Sequence, residues 1–292
     1  MRAFLIRLTV AGLLLGAATG CADSGPAATR PDPAGPAPSA AARLASEQFT
    51  FRLPIAAYSY SLDDEIAIDA AKKALTDSCL AGFGMDYRWP EPVRGAPRAD
   101  RRYGISSAVD ARSYGYHLPP DGPPPGAEVS EEIARVLYGS EPGQQFAGKA
   151  VPENGCRGKA VADLEAKFIR SPGAEVAREI SVSSYERAKK DSRLVGATQK
   201  WSACMSRKGF EYATPIDAST GFSLKDEKPS EKEIATAVAD ISCKGESGLL
   251  GIWFTAESDV QKSMIRAHRK VLDGLRESHA VNVHTARAIA SR

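Results

Sequence analysis

The strongest constraint on how this chain can fold is a pattern written twice. Cys79-Leu-Ala-Gly-Phe-Gly-Met-Asp-Tyr-Arg-Trp-Pro90 aligns without a gap on Cys204-Met-Ser-Arg-Lys-Gly-Phe-Glu-Tyr-Ala-Thr-Pro215. Each stretch is followed later by a second cysteine, a basic residue and a glycine, as Cys156-Arg-Gly158 and Cys243-Lys-Gly245. A cysteine in a last helical turn, with a glycine five residues on that permits a left-handed stop, leaves its sulfur at the helix end. Tyr and Pro then carry an extended exit, and the second cysteine can close the loop. Four cysteines allow three pairings. The pattern predicts Cys79–Cys156 and Cys204–Cys243, one clasp in each half. Four buried free thiols are the alternative, whereas zinc would want close Cys-x-x-Cys pairs that the chain lacks.

Between the cysteines the sequence reads as helix. Ser61-Leu-Asp-Asp64 is a capping box, followed by Ile68, Leu75 and Cys79 at helical spacing and by Gly82 and Gly84 as a stop. A short helix is expected from Ser130, with Glu131 and Glu132 at its positive end and Gly139 beyond it. Residues 158–170 and 174–190 have helical composition, with Pro172 between them, and Asp191 can cap the next helix. There Leu194, Val195, Thr198, Trp201 and Met205 form a stripe. Ser230-Glu-Lys-Glu233 is a second capping box, leading into Ile234, Ala237, Val238 and Ile241. Trp253, Val260, Met264, Ala267, Val271 and Leu275 predict one amphipathic helix of about seven turns. The tail from Glu277 to Arg292 lacks a clear stripe and is expected to fray.

The N-terminus says where such a chain would reside. Arg2 and Arg7 precede the apolar run Leu8–Ala18, which is too short to span a bilayer, and Ala18-Thr-Gly-Cys21 closes it with small residues. That is a secretory signal, and a cysteine placed there resembles the lipobox of bacterial lipoproteins, with Ala18 where Leu is usual. The resemblance implies a lipid on Cys21 and cleavage before it. Residues 22–42, with Pro26, Pro31, Pro33, Pro36 and Pro38, read as a disordered tether reaching about 60 Å when extended. An exported chain also suits disulfides.

With Lys200-Trp-Ser-Ala-Cys-Met205 and Val238-Ala-Asp-Ile-Ser-Cys-Lys244 before a long helix, the duplicated pattern resembles a group of uncharacterised secreted lipoproteins of actinobacteria, over most of residues 60–275. The resemblance implies an envelope location and a helical, disulfide-clasped fold. No reaction, substrate, cofactor or site residue comes with it.

The charge account narrows the partners. Of 38 Lys+Arg and 36 Asp+Glu, Arg2 and Arg7 leave with the signal, so 36 of each remain. A neutral chain has no electrostatic reason to bind nucleic acid. The unusual surface is the insert at residues 87–126, where Tyr87, Trp89, Tyr103, Tyr114 and Tyr116 lie among Arg88, Arg94, Arg98, Arg101, Arg102 and Arg112 before the proline run 119–125. Flat aromatics can stack on sugars and Arg can pair with carboxylates or phosphates, which makes Tyr87, Trp89, Arg101, Arg102, Tyr103, Tyr114 and Tyr116 the candidate ligand residues. The competing and favoured reading is an ordered loop covering one end of the core, its hydroxyls satisfied locally.

Nothing catalytic stands out. His279 and His284 are five residues apart, which does not put both on one helical face, and no metal or cofactor is expected. His268 reads as a partly buried core histidine. Tyr185-Glu-Arg-Ala-Lys189 matches a dehydrogenase motif in letters only, without the glycine-rich turn such enzymes need. The expected protein is therefore mainly α, a helical domain of two related disulfide-clasped halves with one long irregular insert. Its parts are a signal at 1–21, a tether at 22–42, and halves at 43–195 and 196–292. It is expected at the outer face of a bacterial membrane, held by the lipid on Cys21, as a non-catalytic binding or scaffolding protein for a cell-wall glycan or an envelope protein. An accessory subunit of a membrane complex such as a transporter, docking by its C-terminal helix, and an enzyme with an unrecognised site are the other readings.

Overall fold

The computed structural model describes residues 51–92, 99–120, 129–139, 141 and 143–292. The signal, Cys21, the tether, Arg94, Arg98 and residues 121–125 of the proline run lie outside them. The described residues are mainly helical, with ten α-helices, a 3-10 turn at Pro54–Tyr58 and one two-stranded ribbon pairing Gln145 with Ala150 and Phe146 with Lys149.

The helix starts follow their caps. Ser61 accepts the Asp64 N–H at 3.2 Å while the Asp64 carboxylate accepts the Ser61 N–H at 3.1 Å, and α1 (Leu62–Gly82) begins there. In the insert, Ser107 caps α2 (Ala108–Tyr114), so part of what reads as irregular is helix. Ser130 and Gly139 bound α3 (Glu131–Tyr138). Then come α4 (Gly155–Glu165), α5 (Gly173–Ala188, with Pro172 at its N-cap) and α6 (Ser192–Arg207, capped by Asp191). Short α7 (Pro215–Thr220) precedes α8 (Glu231–Ser247).

The expected single C-terminal helix is two, α9 (Leu249–Ala267) and α10 (Arg269–Ala290), broken at His268. A stripe recurring every three or four residues runs straight through such a break and cannot reveal it. His268 is exposed at the junction, not a core histidine. The tail does not fray: Val283, Ala286 and Ile289 are buried with Ile68 and Ala71 of α1. Val195 and Val238, read as stripe residues, are exposed, and Ala197 and Ala239 are buried instead. Stripe assignment slips by one or two positions because small alanines fit where helices approach closely.

Packing runs across the sequence. α10 lies along α1 and α5, α9 along α5 and α6, α2 along α8, and α1 along α4. Elements on either side of residue 195 therefore share their cores. On α10, Val283, Ala286 and Ile289 pack against α1, and Leu272 and Leu275 against α5, while Val281 stays exposed.

Both disulfides are present, Cys79–Cys156 and Cys204–Cys243, each with Cα atoms 5.6 Å apart. The first ties α1 to the start of α4 within a small core of Leu80, Val136, Leu137 and Val151; the second ties α6 to α8 in the largest core, beside Trp201, Met205 and Trp253. The helix ends at the two clasps turn alike. Met85 N–H donates to Leu80 O at 3.1 Å and Phe210 N–H to Met205 O at 3.0 Å, with Gly84 and Gly209 at φ +78° and +85°. Past those turns the paths differ, the first entering a surface groove and the second the Thr214 cap of α7.

Candidate functional site

The insert residues divide between core and surface. From Asp100 to His117 the chain is drawn inward by two buried charge centres. On α9, Glu257 is wholly buried: it accepts Arg102 Nε at 2.9 Å, Tyr103 OH at 2.7 Å, Ser184 Oγ at 2.7 Å and Gln261 Nε2 at 3.2 Å. Arg102 also donates to Ser181 O at 2.6 Å. On α8, buried Asp240 accepts Trp201 Nε1 at 2.9 Å, Lys244 Nζ at 3.1 Å and Tyr116 OH at 3.3 Å, and Lys244 also donates to Ile105 O at 2.9 Å. Arg101 donates to the carbonyls of Tyr116 and His117 at 2.6 and 2.9 Å.

These contacts set the charge states. Burial pushes the Asp240 carboxyl up and the Lys244 ammonium down, and their mutual contact opposes both shifts. Burial works to lower Arg102 and is outweighed by the Glu257 carboxylate, so its net shift is upward. Burial first, then the facing carboxylates, holds the Tyr103 and Tyr116 phenols protonated.

Tyr103 and Tyr116 are 0% and 3% exposed, so their rings present no face to a ligand. The Tyr103 and Tyr116 hydroxyls are satisfied, but not locally as the sequence suggested: their partners lie more than 120 residues on, because this stretch folds into the main core. Tyr114 is half-buried on α2, apart from the groove below. Arg101 and Arg102 stand out in the sequence as ligand residues but are spent on holding the chain. Glu257, Asp240 and Lys244 do not stand out there, where an apolar stripe dominates. Their signal was the pairing of Asp240 with Lys244 and of Glu257 with Gln261, four residues apart on faces shared with Ala237, Ile241 and Trp253.

Trp89 lies at the surface. After the first clasp the chain is pinned by Asp77, whose Oδ1 accepts the Trp89 N–H at 2.7 Å and whose Oδ2 accepts Lys73 Nζ at 2.7 Å. The Arg157 guanidinium from α4 stands over the indole, 4.4 Å from its centre, and 5.8 Å from the Tyr138 ring. Beside it opens a groove of about 450 Å³, with Leu62, Ile66, Val161 and Pro90 among its apolar lining. Leu62 and Val161 are 48% and 39% exposed on facing helices. The rim carries both signs: Lys72 is paired with Asp69, and Lys73 with Asp77 and Glu91. Among the described residues no carboxylate pairs with Arg157. Tyr87 packs behind the groove with its hydroxyl buried and unpartnered, and burial pushes its phenol up. An indole, two exposed aliphatics and a guanidinium stacked on that indole but without a carboxylate partner can bind a ligand with an apolar or sugar face and a carboxylate.

Among the described residues no group of three or more His, Cys, Asp or Glu is placed to hold a metal ion, and no helix is long and apolar enough to cross a membrane. No family model matches the chain, and neither does any curated protein or solved structure.

Proposed function

We propose that this chain is a lipid-tethered protein of the outer face of a bacterial membrane, a non-catalytic component that binds a wall glycan in the Trp89 groove. The observation that carries the reading is the pair of disulfides, since such bonds persist in oxidising compartments and accompany a signal-like N-terminus ending at Cys21. The duplicated clasp, read as two related halves, and the likeness to secreted actinobacterial lipoproteins point the same way. The buried titratable groups support a binding role over a catalytic one, because Glu257, Asp240 and Lys244 spend their hydrogen bonds on holding residues 100–117 in place. In the groove, Trp89 and Val161 would meet the sugar face and Arg157 a carboxylate of an attached peptide.

Two substitutions test this. Cys21→Ala should move the protein out of the membrane fraction, and an unchanged distribution would remove the tether. Trp89→Ala should weaken co-sedimentation with purified cell wall while leaving the melting temperature within a few degrees. Undiminished retention would take the ligand away from this groove.

A further inference from the structure

A second groove, of about 410 Å³, runs between the 3-10 turn at Pro54–Tyr58 and helix α10. Its charge is lopsided in a chain whose mature charge is balanced. Arg52 lines it beside the turn, and Arg276 and Arg287 line it from α10, against a single carboxylate, Asp64. Ser59, Tyr60 and His279 also line it, with Tyr60 stacked on the imidazole at 3.9 Å.

The arginines are weakly committed. Among the described residues no carboxylate pairs with Arg52. Arg276 meets Asp273 at 3.0 Å and stands over the Tyr58 ring at 4.9 Å, while Arg287 reaches Asp64 at 3.5 Å. The Arg276 and Arg287 side chains are 57% and 61% exposed, and ion pairs so placed in water hold weakly against a new anion. Asp64 is already occupied, accepting the Ser61 N–H at 3.1 Å and hydroxyl at 2.7 Å.

Spacing identifies the kind of anion. Arg276 and Arg287 lie three helical turns apart on one side of α10, about 16 Å along the axis. One phosphate cannot meet both, whereas successive phosphates of an extended chain can. Between them Ala280, Val283 and the Tyr60–His279 stack offer small and flat surfaces for an uncharged spacer. A flat bilayer would meet the arginine tips without entering the groove. Guanidinium forks suit phosphodiester oxygens because they donate in pairs.

We propose that this groove binds a linear polyol-phosphate polymer, with Arg52, Arg276 and Arg287 each meeting one phosphodiester. The assignment rests on the outer-face location proposed above for its cellular source. It is separate from the Trp89 groove, and binding purified polymer does not depend on where the protein resides.

Calorimetric titration of the purified full chain with poly(glycerol phosphate) tests it. Binding should weaken at least tenfold in Arg276→Glu with Arg287→Glu, weaken likewise in Arg52→Glu, and stay unchanged in Trp89→Ala. The logarithm of affinity should fall with the logarithm of salt with a slope of about −2, as expected for three contacts on a flexible polyanion. Arg276→Gln, with its melting temperature, checks that loss of binding is not loss of fold. Equal binding by the charge-reversed variants overturns the proposal. So does tighter, arginine-dependent binding to phosphatidylglycerol vesicles than to the polymer, which would make this a membrane contact. Loss of polymer binding with Cys21-dependent membrane association intact would sink this site alone; loss of that association with polymer binding intact would sink the location.

Discussion

Lys244 and Asp240 are fully buried, and two charges so placed are kept by each other and by the groups around them. Removing one leaves the other uncompensated in a low-dielectric core, which costs far more than the net worth of the pair. Lys244→Met should therefore lower unfolding free energy by about 3–5 kcal/mol in urea denaturation, and Asp240→Leu in the same chain should restore part of it. No restoration would mean the pair is not the unit argued here. His117 provides a titratable counterpart nearer the surface. Its Nδ1–H donates to Glu233 at 2.8 Å and its Nε2 lies 3.0 Å from Asp226 O, and the Glu233 contact raises the imidazole above its ordinary value. A raised folded-state value means the stabilisation is complete below the unfolded value of about 6.5 and disappears as pH rises through the folded one. The stability difference between the wild type and His117→Gln should accordingly be largest near pH 5.5 and shrink as pH is raised to 9. A constant difference would remove the ion pair from the account.

Whole elements meet through small residues and caps. Gly155, which opens α4, sits at φ +66°, and a Cβ there would lie 2.4 Å from Leu137 O and 2.6 Å from Gly139 N at the end of α3. Both the backbone conformation and the contact forbid a side chain, so Gly155→Ala should cost about 3 kcal/mol or more in thermal or urea unfolding. A loss under 1 kcal/mol would show that α3 and α4 can separate freely. The helix starts at Ser61, Ser130, Asp191 and Ser230 were legible because a cap is a local device of one side chain and one nearby N–H. The second half of one capping box was not: Glu233 accepts from Tyr116 N–H at 2.8 Å and from His117. A partner more than 100 residues away outcompeted the cap, and nothing local announces that. The groove was half legible in the same way. Trp89 stands out as an aromatic in a loop, whereas Arg157, Leu62 and Val161 join it only because α4 packs along α1, through Leu164 on Ile68 and Ala71 and through the first disulfide.

Taken as a molecule, the chain has several cores rather than one, with a disulfide in two of them. The loops they close span 77 and 39 residues, so loss of either bond should cost about 4 kcal/mol on the chain-entropy view, with the longer loop worth slightly more. Because the bonds lie in different clusters, the losses from Cys79→Ala with Cys156→Ala and from Cys204→Ala with Cys243→Ala should add to within about 0.5 kcal/mol. Strong coupling between them in urea unfolding would show that the two clusters open together. The sequence alone determined the helical class, most helix starts and the pairing of four cysteines, because caps, apolar periodicity and the duplicated turn act within one or two turns of chain. Only the tertiary structure decided that α9 and α10 break at His268, that α10 closes onto α1, and that Tyr103 and Tyr116 face inward. Those outcomes depend on which buried charges and apolar faces find one another across more than a hundred residues, and no local pattern encodes that choice.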